Sequence, residues 1–197
     1  MQIVTQRDFI IELDDVLDRE TCAAIVAAFD RSPDVRDGRV VRVEDGDTTS
    51  ADKVSLDLVL PASGEWAALH DRLHRAVSEA VLAILPDYPG LQVDALGSTG
   101  YKVQKYPRGE GHFTWHVDAF GPFAESRLLA LILYLNDVET GGETEFHHQA
   151  RAVRPEAGRA ILFPTTWTHM HRGVVPASGD KYVVSSFFEF PRPEAAG

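Results

Sequence analysis

A chain of 197 residues, 44% hydrophobic and 25% charged, is long enough to bury its own core and reads as an ordinary globular protein. Its formal charge of −11, with 19 basic residues scattered rather than clustered, argues against a nucleic-acid partner, because phosphate binding needs a basic stripe. No apolar run approaches the roughly 20 residues of a membrane span, no basic-then-apolar secretory pattern opens the chain, and Cys22 alone excludes an intramolecular disulfide or a zinc–cysteine cluster. A cytoplasmic protein with no membrane partner is the expectation.

Ile3 to Leu13 is expected to form an opening strand. Asp18 is placed to cap a helix running to about Phe29, with Cys22, Ile25, Val26 and Phe29 on one face. Residues 30–52, rich in Asp, Gly, Arg and Thr, are expected as a polar loop. Val54, Leu56, Leu58 and Leu60 then alternate as in a strand with one buried face. Trp66, Leu69, Leu73, Val77, Ala80 and Ile84 recur at helical spacing, and Pro86 ends that helix. Within it the run HDRLH places His70 and His74 at i and i+4, differing from the zinc-protease H-E-x-x-H by Asp71. The apolar face lies one residue away, on Leu69 and Leu73, so both histidines are read as a solvated helix face.

From Leu91 onward the texture changes to short strands, expected at 91–96, 100–106, 112–118, 127–135, 143–148, 151–154, 159–163, 168–175 and 181–190. Gly121-Pro122, Gly141-Gly142, Gly158 and Ser178-Gly179 punctuate them. The fold class expected is mainly β with flanking helices: a double-stranded β-helix, or jelly roll, with two N-terminal helices packed on one sheet. One domain is expected over 1–197, with 1–90 as support and 91–190 as the jelly-roll core.

The chemistry concentrates in WHVDAF. On a strand, residues i and i+2 project from one face, so His116 and Asp118 are expected to present an imidazole and a carboxylate side by side. His-x-Asp alone is weak evidence. A second histidine from a neighbouring strand would complete a set that binds one face of a divalent iron and leaves the other open. THMH offers His169 and His171 for that place, on one expected strand face. Lys181 follows His171 by ten residues and shares its strand face with Val183, Ser185 and Phe187, which favours an inward ammonium. His112 is read as structural, and His147-His148 as diverging side chains unsuited to a joint metal role.

Taken in order, Tyr106, His116, Asp118, Arg127, Tyr134-Leu135-Asn136, Gly142, Thr144, Phe146, Gly158, Phe163, His171, Gly179 and Lys181 form a pattern over roughly residues 91–190. That pattern resembles the Fe(II)/2-oxoglutarate-dependent dioxygenases, in their prolyl 4-hydroxylase-like branch. The family's offsets of +8 for Gly179 and +10 for Lys181 select His171 over His169, which becomes a neighbour of the site. The resemblance implies Fe(II) held by His116, Asp118 and His171, with 2-oxoglutarate chelating through its 2-oxo and C1-carboxylate oxygens. It implies that Lys181 pairs with the C5 carboxylate and Tyr134 hydrogen-bonds it. Tyr106 is expected to contact the co-substrate or line the substrate mouth, with Thr144 and Ser185 as polar lining.

The activity so implied consumes O2, releases succinate and CO2, and hydroxylates an unactivated C–H bond of a peptidyl proline, a free amino acid or a small metabolite. Ascorbate binding comes with the same resemblance. The segment AFGPFAES, Ala119 to Ser126, is expected as a lip over the pocket, contacting substrate together with loop 30–52. Two other readings compete. A non-catalytic cupin-like metal or ligand binder has no need of Lys181. An AlkB-like nucleic-acid demethylase conflicts with the acidic charge and with the missing R-x5-R after the distal histidine. The oligomeric state leaves no mark on the sequence.

Overall fold

The computed structural model describes residues 1–42, 46–48, 51–92, 96–120 and 124–190. The strands among them are β1 (Gln2–Thr5), β2 (Ile11–Asp14), β3 (Arg36–Asp37), β4 (Val40–Arg42), β5 (Gly46–Thr48), β6 (Lys53–Val54), β7 (Leu56–Val59), β8 (Gly97–Ser98), β9 (Lys102–Tyr106), β10 (His112–His116), β11 (Arg127–Tyr134), β12 (Thr144–Phe146), β13 (Arg151–Val153), β14 (Ala160–Pro164), β15 (His171–Gly173) and β16 (Lys181–Glu189). The helices are α1 (Arg19–Arg31) and α2 (Ala67–Ile84), with five short 3-10 segments besides, so helical segments exceed the two expected. No helix of the described residues is long and apolar enough to cross a membrane.

Two antiparallel sheets dominate. The larger runs β1-β2-β14-β11-β16-β9-β7-β3, with β8 also on β16; the smaller runs β13-β12-β15-β10-β6. Period-2 alternation sorts the side chains of the large sheet between two cores. Leu129, Leu131 and Leu133 of β11 and Tyr182, Val184 and Phe188 of β16 pack with Cys22, Ile25 and Phe29 of α1 and Leu73, Val77 and Ile84 of α2. Ala130 and Tyr134 of β11, Val183 of β16, and Ile161 and Phe163 of β14 turn the other way and meet Phe146 and Val153 of the small sheet. Both helices therefore cover one face of the large sheet, and its other face looks into the space between the sheets.

The helix starts and stops where local chemistry directs. Asp18 accepts from the backbone N–H of Thr21 at 2.8 Å, which caps α1. Pro86 falls in a 3-10 turn, Leu85–Asp87, directly after α2. Elsewhere tertiary context changes the boundaries. The expected strand Ile3–Leu13 breaks at a 3-10 turn, Arg7–Phe9, where Asp8 and Phe9 take φ of 56° and 60°; β1 and β2 fold back as a pair instead. Loop 30–52 carries β3 and the β4–β5 hairpin in its described part, with 43–45 and 49–50 outside the described residues. The strand expected at Val54–Leu60 is two: β6 pairs with β10 in the small sheet, and β7 with β9 in the large one, the chain changing sheets at Ser55. Of the strand expected at 91–96, Leu91 lies in a 3-10 turn and 93–95 fall outside the described residues.

Candidate active site

β10 and β15 are paired so that Phe113 stands opposite Gly173 and His116 opposite His171. Three steps on β10 match two on β15, a bulge that re-aims the bulged strand's side chains. Strict alternation would put Phe113 and His116 on opposite faces; the bulge brings them together, with ring centroids 3.5 Å apart and planes within 14°. Across the pair, the His116 and His171 rings lie 4.2 Å apart.

Asp118 reaches the same point differently from the expectation. β10 ends at His116, so Asp118 sits past the strand end rather than within it. Its backbone N–H and that of Ala119 both donate to the carbonyl of Thr165, at 3.1 and 2.9 Å, and its own carbonyl accepts from Arg127 Nη1 at 3.1 Å. These bonds fix the turn that carries the carboxylate inward. Asp118 Oδ1 lies 3.7 Å from His116 Nε2, and Oδ2 lies 3.7 Å from His171 Nε2. One donor atom from each of the three residues falls within 4.8 Å of the others, the single such cluster among the described residues.

The tautomers suit a cation. His116 Nδ1 lies 2.8 Å from the Thr114 carbonyl and His171 Nδ1 3.0 Å from the His169 carbonyl, so each Nδ1–H donates to backbone and each Nε2 presents a lone pair to the centre. Burial, then the neighbouring His171, hold His116 well below the usual imidazole pKa, which keeps it neutral. Burial raises Asp118, opposed by His171 and Arg127. Two imidazole nitrogens and a carboxylate form a facial set fit for one divalent transition metal with open positions opposite.

His169 is not on a strand face with His171, as the sequence suggested. It lies in a 3-10 turn, Trp167–His169, with Nε2 on the Asp8 carbonyl at 3.0 Å and Nδ1 on Thr168 Oγ1 at 2.9 Å. Only its carbonyl serves the site. His112 has Nδ1 2.7 Å from the Glu110 carbonyl and Nε2 3.0 Å from the Ala51 carbonyl, apart from the cluster. His147 packs edge-on against Trp115, and His148 is exposed. His70 and His74 flank Tyr101, whose hydroxyl meets His74 Nδ1 at 2.8 Å, and they stand apart from the three-residue cluster. Of the expected lip Ala119–Ser126, residues 121–123 lie outside the described residues.

Lys181 stands opposite Tyr106 in the β16–β9 pair and is only 2% exposed, its ammonium reaching toward Gly173 on β15, the strand that carries His171. Its ammonium donates to the Gly142 carbonyl at 2.9 Å and lies 4.6 Å from the Tyr106 ring centre. No carboxylate among the described residues is within ion-pair distance of it. Burial accordingly pulls its pKa down to about 8. The Gly141-Gly142 turn makes the contact possible: both take positive φ, and a Cβ on Gly141 would stand 2.3 Å from the Val175 carbonyl. Tyr134 donates its hydroxyl to Thr144 Oγ1 at 2.7 Å, both buried. Ser185 faces the same space, paired with Lys102 and Ile132.

Three residues with no role assigned from the sequence lie beside the cluster. Arg127 stacks on Phe187 at 3.8 Å while holding the Asp118 carbonyl. Phe113 lies against His116, and buried Lys53 lies 5.6 Å from the Phe113 ring centre. Arg127 belonged to the recognised pattern, which was a signal for it. The other two depend on the bulge and the sheet change.

Residues 101–189 match the 2OG-Fe(II) oxygenase superfamily. The chain is 23% identical to "Probable prolyl 4-hydroxylase 9" of Arabidopsis thaliana, covering 94% of this chain and 70% of that protein. Among solved structures it resembles a Trichoplax adhaerens prolyl hydroxylase in complex with a hypoxia inducible factor peptide fragment (TM-score 0.75, 16% identity, 93% of this chain and 84% of that one). It also resembles a Pseudomonas putida prolyl-4-hydroxylase (TM-score 0.69, 19% identity, 93% of each chain). A third likeness is the viral collagen prolyl hydroxylase of Paramecium Bursaria Chlorella virus-1 in its 2OG complex (TM-score 0.68, 17% identity, 96% of this chain and 99% of that one). The ordered pattern from Tyr106 to Lys181 falls inside the matched segment, and the family match and the relative together support a 2OG-Fe(II) oxygenase that is prolyl 4-hydroxylase-like.

Proposed function

We propose that the two sheets form a jelly roll, acting as one domain, in which His116, Asp118 and His171 hold Fe(II) and Lys181 anchors 2-oxoglutarate. The carrying observation is a buried ammonium with no carboxylate partner among the described residues, on the sheet face that looks toward the small sheet and its two-histidine, one-carboxylate cluster. A dicarboxylate chelating the metal at one end supplies the missing partner at the other, and in a dry site that charge-assisted bond is strong. Bound iron supplies the activation of O2, coupled to decarboxylation of 2-oxoglutarate to succinate and CO2, for insertion of one oxygen atom into a C–H bond.

The chain's own residues bind, orient and exclude water. Thr114 and His169 carbonyls fix the ligand tautomers; Thr165 and Arg127 fix the carboxylate. Tyr134 and Thr144, already joined, sit beside Lys181 in the co-substrate's end of the cavity, and Tyr106 shields the ammonium from solvent. Phe113 covers one face of His116.

The substrate is read as a peptidyl proline, a free amino acid or a small metabolite, in a cytoplasmic setting, with ascorbate sustaining turnover. The experiment is succinate formation from Fe(II) and 2-oxoglutarate, first without and then with a panel of prolyl peptides, amino acids and small acids. Wild-type protein should form succinate and His116→Ala should not. Metal binding with no succinate across the panel would support the cupin-like binder instead.

A further inference from the structure

The large sheet's inner face has a deep end and an open end. Along β9 it passes from Tyr106 through Gln104, 7% exposed, to Lys102, whose side chain is 42% exposed. Along β16 it passes from Lys181 and Val183, both buried, to the partly exposed Ser185 and Phe187. Lys102 stands opposite Ser185, four residues from the Lys181–Tyr106 pair, or about 13 Å along the strand. A five-carbon co-substrate occupies the deep end, so the open end is where a second molecule enters.

That end holds an unbalanced charge cluster. Asp57 accepts from Lys53 Nζ at 2.7 Å, from Ser55 Oγ at 2.7 Å and from Gln104 Nε2 at 3.3 Å to each oxygen, while Lys102 Nζ stands off at 3.6 Å. Lys53 is 5% exposed and neutralises Asp57 by itself. Lys102 is the surplus: two ammonium groups share one carboxylate whose lone pairs are already taken. Arg127, on Phe187 at the same end, is faced by Asp118 and Glu189 and leaves Lys102 as the unmatched cation.

We infer that Lys102, backed by the Lys53–Asp57 pair, is an anion subsite, and that the primary substrate presents a carboxylate to it while its C–H bond faces the metal. The inference rests on the oxygenase reading and names the substrate class for the same cavity: a free amino acid, a peptide's terminal carboxylate or a small acid, rather than an internal peptide segment. The Asp57 network holds Lys102's neighbours rigid, so the subsite is formed before substrate arrives.

The test is binding, which needs no turnover. Mn(II)- and 2-oxoglutarate-loaded protein is titrated by calorimetry with L-proline, N-acetyl-L-proline and glycyl-L-proline, each as free acid and as primary amide. In at least one pair the acid should bind about tenfold tighter than the amide. Lys102→Met should abolish the difference and Lys102→Arg should keep it. Lys105→Met, on the same strand but bonded to Asp30 and Asp180, should also keep it and so controls for overall charge. Equal or absent binding in every pair, or an acid preference that survives Lys102→Met, overturns the subsite. Succinate formation by wild type judges the oxygenase reading separately, so the two failures are told apart.

Discussion

Replacing Lys181 with Met should stabilise the metal-free protein while destroying its co-substrate binding. In the fold the ammonium's pKa is about 8, against 10.5 for an unhindered lysine. That difference means burying the charged form costs about 3 kcal/mol at neutral pH. Between those two values the unfolded chain binds more protons than the folded one, so this group makes stability rise with pH from about 8 to about 10.5. Methionine fills similar space without the charge, at the expense of one hydrogen bond to the Gly142 carbonyl, about 1 kcal/mol. The net expectation is a variant about 2 kcal/mol more stable at about pH 7, with no alkaline gain. Urea unfolding of both proteins at neutral and alkaline pH measures this, and calorimetry with 2-oxoglutarate measures the loss. In wild type, affinity for the dicarboxylate should fall about tenfold per pH unit above about 8, as the free ammonium loses its proton. A Lys181→Met protein that is less stable than wild type, or that still binds 2-oxoglutarate, refutes the reasoning.

Three further outcomes follow from the same geometry. Phe113→Ala removes the ring stacked on His116 and should weaken Mn(II) binding about tenfold, read by paramagnetic resonance titration. Tyr134→Phe leaves buried Thr144 without its donor and should raise the apparent KM for 2-oxoglutarate severalfold, with about 1 kcal/mol lost in denaturant unfolding. The Cys22 thiol, buried under α1 and pushed up to about 11, should resist a thiol-specific disulfide reagent at about pH 8 in the folded protein and react at once in denaturant.

Much of this was legible in the sequence because single elements carried it. Asp18 and the spacing of Cys22, Ile25 and Phe29 gave α1 its start and its buried face. The unbroken apolar run of β11, buried on both faces, and the alternation that turns Lys181 and Val183 away from Tyr182 and Val184 could be counted by eye. What stayed hidden depends on pairing between distant segments. The bulge between Phe113 and His116 exists only against β15, and it alone puts those rings together. Asp118 is aimed by the Thr165 carbonyl, some fifty residues on, rather than by strand alternation. Lys53 and Asp57 meet because the chain changes sheets at Ser55, which a continuous strand reading of Val54–Leu60 conceals. His169 was misread as a strand residue because the turn Trp167–His169 is set by Asp8 at the other end of the chain.

The most direct measurement is the stoichiometry and affinity of Mn(II), as a stand-in for iron, on wild type and on Asp118→Asn, His116→Ala and His171→Ala. Wild type should bind one ion tightly, and each substitution should weaken that binding by at least about a hundredfold while leaving the unfolding midpoint at or above its wild-type value. Undiminished binding by His171→Ala would contradict the account.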